Sequence, residues 1–131
     1  MMKTLAKTLI LVAGLLAAGL FNSTGALAAT PTTVDGITTI HLDEYNGYFA
    51  AKETLASLKP GQYKFVVTNK TNKLVGFQIQ DNVTHKTLDK FPLDPGQTKS
   101  AVVQISENGF RYRCPINPTA WYEIDHVQAR K

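Results

Sequence analysis

The sequence predicts an all-β fold, a Greek-key two-sheet sandwich of about seven short strands behind an N-terminal signal-peptide helix. Three observations carry that expectation. Short runs alternate apolar with polar residues; the turn pairs Pro60-Gly61, Pro95-Gly96 and Asn108-Gly109 separate them; and nothing reads as a long amphipathic helix. About 100 residues remain after the leader, enough for one domain with its own core.

The leader comes first. Lys3 and Lys7 precede an apolar run from Leu9 to Phe21, followed by the small-residue site Ala26-Leu27-Ala28. That run of about 13 residues is shorter than the roughly 20 a bilayer core requires, so residues 1–28 read as a signal peptide and 29–131 as the exported domain. No cysteine flanks the cleavage site, so no lipid anchor is expected. The short basic start and Ala-rich end look bacterial, which places the chain in the periplasm, with no membrane association once the leader is removed.

Ile37 to Leu42 supplies an opening strand. Gly47 to Leu58 breaks the pattern, with Ala50, Ala51, Leu55 and Leu58 spaced for either a short helix or an irregular connection. After Pro60-Gly61, the apolar positions Tyr63, Phe65 and Val67 alternate with polar neighbours; a polar turn from Asn69 to Lys73 leads to Val75, Phe77 and Ile79. The two runs read as a hairpin. Asp81 to Asp94 is less regular, a surface loop with a short edge strand at Lys86 to Phe91. Ala101, Val103 and Ile105 follow Pro95-Gly96, Phe110, Tyr112 and Cys114 follow Asn108-Gly109, and Trp121 to Val127 closes the domain.

Composition excludes several function classes. The full chain carries a formal charge of +4, but Lys3 and Lys7 lie in the leader, leaving 12 basic against 10 acidic residues and a net charge of about +2. So weak and scattered an excess does not suit nucleic acid or an anionic membrane. One cysteine and three scattered histidines form no recognisable nucleophile and base pair, so no enzymatic activity is expected. Asn69-Lys70-Thr71 and Asn82-Val83-Thr84 match glycosylation acceptors but are chance matches in a bacterial periplasm.

Cys114 is the informative residue. An exported thiol ordinarily finds a disulfide partner, and this chain contains no second cysteine. It is a metal ligand, a reactive thiol or a small buried hydrophobe. Strand periodicity places Phe110, Tyr112 and Cys114 on the core side and turns Arg111 and Arg113 outward, while Pro115 ends the ladder. Outward arginines do little to activate a core-facing thiol, which counts against redox exchange. Trp121-Tyr122 with Tyr112 and Phe110 reads either as sandwich core or as an exposed aromatic patch for a partner.

Lys59-Pro60-Gly61-Gln62-Tyr63, Phe65 to Asn69, the polar turn, Pro95-Gly96 and Gly109 to Cys114 follow a cupredoxin order of landmarks. The chain resembles the cupredoxin superfamily over residues 58–127, and it is most similar to the cupredoxin-like domain of EfeO-type iron-uptake proteins. The resemblance implies a metal site at Cys114, with copper as the expected ion, or no metal at all. Blue-copper members add two histidines and an axial methionine to the cysteine. The first histidine would fall near Val75 or Gly76 and the second among residues 115–120, and neither stretch contains one; the exported domain has no methionine.

The nearest alternative ligands by sequence are Asp81, His85 and Asp89, with Asn117 beside the cysteine; Cys114 with His85 would suit copper or zinc. His41 and His126 read as structural histidines. An immunoglobulin-like sandwich is the alternative fold, since Tyr112 stands two residues before Cys114, but Trp121 follows the cysteine where that fold needs it before. The expected function is metal handling or electron transfer, and the competing one is a metal-free module that binds another periplasmic protein.

Overall fold

The computed structural model describes residues 28–125 and 127. The expected signal peptide, but for Ala28, and His126 therefore lie outside the described residues. Those described form no helix and nine strands: β1 (Thr32–Val34), β2 (Ile37–Glu44), β3 (Phe49–Ala51), β4 (Gly61–Asn69), β5 (Val75–Asp81), β6 (Thr87–Leu93), β7 (Thr98–Ile105), β8 (Phe110–Arg113) and β9 (Tyr122–Ile124). One sheet runs β1-β2-β4-β7, with β3 also paired to β2; the other runs β6-β5-β8-β9. Their inner faces pack together as a two-sheet β-sandwich. Phe65 of β4 lies 6.3 Å from Phe77 of β5 and 5.3 Å from Phe110 of β8, ring centroid to centroid.

Alternation fills this core. Ile40 and Leu42 of β2, Phe65 and Val67 of β4, Ala101 and Ile105 of β7, Val75, Phe77 and Ile79 of β5, and Phe110 of β8 have no solvent exposure. Two glycine turns shape the first sheet. Asp35 and Gly36 have φ of 54° and 79°, and Asn46 and Gly47 have 60° and 93°. Paired positive φ values are those of the tight hairpin turns favoured by Asp-Gly and Asn-Gly, and they join β1 to β2 and β2 to β3.

One expectation is corrected, and one open choice is decided. β4 and β5 do not form a hairpin, because β4 is already paired on both sides, parallel to β2 and antiparallel to β7. With no free edge on β4, the turn after Asn69 carries the chain across to the other sheet. The irregular stretch after Gly47 is not helical. It contains β3 and a bridge from Ala29 to Glu53, and residues 45–60 form the long crossover that a parallel β2 and β4 pair requires.

The edge strand expected at Lys86 to Phe91 is β6, two residues longer at its C-terminal end. Phe110 and Tyr112 lie in the core, and Tyr122 stacks on Tyr112 at 5.1 Å and 11°. Trp121 instead lies on the outer face, its ring 4.1 Å and 4.2 Å from the guanidinium carbons of Arg111 and Arg113.

Candidate metal centre

Cys114 directly follows β8 and is fully buried. The sulfur accepts two backbone N–H groups, from Gly76 at 3.4 Å and from Asn117 at 3.3 Å. Gly76 is the second residue of β5, so the thiol sits where the second sheet begins its central strand.

Across from it, at the last residue of β2, stands a side chain that the sequence reading omitted. Glu44 continues the inward series Ile40, Leu42, Glu44 and has no solvent exposure. Among the described residues, neither of its carboxylate oxygens has a hydrogen-bond partner. Burial pushes its carboxyl up to about 7 from an ordinary 4.5, and the Cys114 thiol pulls weakly the other way without bonding geometry to either oxygen. The carboxyl therefore resists ionising in the absence of a cation. One sheet supplies the carboxylate and the other supplies the thiol.

The backbone around this pair is closed by residues 115–120. A Cβ placed on Gly76 would stand 3.2 Å from the Pro115 ring and 3.3 Å from Cδ1 of Ile116, so glycine lets the strap lie down on β5. Val75, the other position where the blue-copper pattern would place its first histidine, is buried in the core. Asn69, register partner of Glu44, is also buried. Its amide donates to the carbonyls of Lys73 and Leu93 at 2.7 Å and 3.1 Å, and its oxygen accepts from the N–H and hydroxyl of Thr71 at 2.8 Å and 2.7 Å.

The structure does not bring Asp81 or His85 to Cys114. Asp81 is the last residue of β5, five positions from Gly76, which is about 17 Å along an extended strand. Burial works against its ionisation, but the N–H groups of Thr84 and Val83 with the Asn108 and Ser106 side chains hold its carboxyl at about 2. It clamps a loop. His85 is exposed at φ 63° in the turn that follows. Asp89 pairs with Ile79 in mid-strand and accepts from the Lys90 N–H at 2.8 Å. His41 is exposed and its Nδ1 lies 2.6 Å from Glu53. Only Asn117, of the alternatives considered, reaches the thiol, through its backbone.

Thiolate and carboxylate together offer one soft and one hard anionic donor, and an unpartnered buried carboxylate is a cost that a bound cation removes. The donor types fit a borderline transition-metal ion. Among the described residues no group of three or more His, Cys, Asp or Glu side chains is placed to hold a metal ion, so the remaining positions would go to backbone carbonyls or water. The chain matches no protein-family model and no curated protein sequence.

Proposed function

We propose that this chain is an exported cupredoxin-like domain, a Greek-key sandwich, that binds a transition-metal ion between Cys114 and Glu44 and serves in metal handling. The observation that carries this reading is the Glu44 carboxylate, wholly buried, without a bonded partner, and facing the one thiol. Copper and zinc both accept a thiolate with an oxygen donor. One-electron transfer of the blue-copper kind is the weaker form of this reading, since among the described residues its two imidazoles have no counterpart beside the thiol: His41 and His85 lie elsewhere.

The test is metal retention. Purified protein is exposed to Cu(I), Cu(II) and Zn(II) separately and desalted. Wild type should keep close to one equivalent of at least one ion, Cys114→Ser and Glu44→Gln far less, and His85→Ala as much as wild type. Equal retention by wild type and Cys114→Ser removes the site.

A second reading, a metal-free module for a protein partner, draws on Leu74 and Ile116, which are 50% and 48% exposed. Ile116 borders a shallow cleft of about 350 Å³ with Lys90, Phe91, Pro92 and Pro115. It stands if wild type retains no metal.

A further inference from the structure

The thiol and the carboxylate are both sealed from solvent, so an ion cannot reach them while the loop above stays in place. Residues 115–120 connect β8 to β9 with no strand of their own. Their backbone starts at the sulfur, where the Asn117 N–H bonds Cys114 at 3.3 Å. Their side chains end on the turn immediately after Glu44. Nδ2 of Asn117 donates to the backbone oxygen and Oδ1 of Asn46 at 3.3 Å and 3.2 Å, and the Thr119 hydroxyl donates to the Gly47 carbonyl at 3.0 Å. The segment thus runs from the donor of one sheet to the turn beside the donor of the other and bridges the gap between them.

The construction is suited to opening. Asn117 and Thr119 are exposed, and so are Pro118 and Ala120. Hydrogen bonds at such positions exchange readily with water and each holds the closed state only modestly. The platform beneath is rigid: the Asn46-Gly47 turn is fixed by its two positive φ values, and the Tyr45 N–H bonds the Tyr48 carbonyl at 2.6 Å. Gly47 is needed for contact as well as for conformation, since a Cβ there would meet Cγ2 of Thr119 at 3.2 Å and Nδ2 of Asn117 at 3.3 Å.

We propose that residues 115–120 form a strap, latched by Asn117 on Asn46 and Thr119 on Gly47, whose release gates access to the Cys114 and Glu44 pair. What the gate admits rests on the metal reading; the gate itself is read on the thiol. Release lifts the loop from the turn while the Gly76 N–H stays on the sulfur. It exposes the sulfur without unfolding either sheet.

The experiment is alkylation of Cys114 by iodoacetamide in the native full chain, followed by mass spectrometry, in wild type and in Asn117→Ala/Thr119→Val. The double variant loses the latch and keeps the Asn117 N–H on sulfur, so alkylation should accelerate about tenfold, the factor that losing hydrogen bonds of modest net worth implies. Zn(II) should enter and leave faster by a similar factor with little change in affinity. Equal alkylation rates overturn the strap. Amide exchange in wild type gives an independent reading. The Asn117 N–H should exchange faster than that of Gly76 and in step with alkylation, whereas joint exchange at the global unfolding rate overturns the proposal. Faster alkylation with no Zn(II) retained by either protein upholds the gate and removes the metal reading. Unchanged alkylation with Zn(II) retained removes the gate alone.

Discussion

Two carboxylates at opposite ends of the sandwich have opposite fates. Asp81 receives two backbone N–H groups and the side chains of Asn108 and Ser106, and its carboxyl is held at about 2. The Glu44 carboxylate receives no hydrogen bond from the described residues, and it is pushed up to about 7. The partly exposed loop around Asp81 uses it as a clamp. A buried, unbonded carboxylate costs stability, and such a cost persists where the group is kept for another task. Asn69, paired in register with Glu44, sharpens the contrast, because its amide is fully bonded at the same depth. That end of the sandwich can satisfy a buried polar side chain.

The largest stability effect is therefore expected at the satisfied group. Asn69→Ala strands the carbonyls of Lys73 and Leu93 and the Thr71 N–H together, and should cost about 3 kcal/mol in denaturant unfolding. A loss under about 1 kcal/mol would show that water replaces the amide easily, and the comparison with Glu44 would weaken.

Glu44 should behave in the opposite way. Its folded value lies above its unfolded one, so in the metal-free protein its contribution is complete below pH 4.5 and is lost as pH rises through about 7. The loss is on the order of 3 kcal/mol. Glu44→Met should then be more stable than wild type at pH 8, by about 2 kcal/mol, and close to it at pH 5. Parallel curves of stability against pH for the two proteins would contradict the account of Glu44 as an unbonded acid.

Asp81 has the reverse sign. Its folded value is depressed, so its contribution is present above pH 3.8 and is lost as pH falls through about 2. Asp81→Asn should cost roughly 1 kcal/mol at pH 7 and little at pH 2, and it should leave metal retention unchanged. Metal loss in Asp81→Asn would tie together the two ends that the structure separates.

Much of the fold was legible because strand alternation is a local signal. The core positions Phe65, Phe77, Ile79, Phe110 and Tyr112, and the burial of Cys114 at the end of its strand, follow from period-two patterning alone. Pairing was not legible. Alternation in residues 63–67 and 75–79 is the same whether the strands form a hairpin or lie in different sheets, and only the occupied edges of β4 decide it. The site was half legible for a related reason. An opening strand that stops at Leu42 leaves out Glu44, two positions further along the same face, and the Asn46-Gly47 pair is the local signal that marks the true strand end. His85 and Asp81 drew notice for their chemistry, but loop convergence is a property of topology, and β5 holds them at its far end.

The most direct measurement is X-ray absorption at the metal edge of the Zn(II)-loaded protein. One sulfur scatterer at about 2.3 Å is expected, with oxygen completing the shell and no imidazole signature. Glu44→Gln should change the oxygen part of that shell while keeping the sulfur. A shell without sulfur, or one containing imidazole, would contradict a metal held between Cys114 and Glu44.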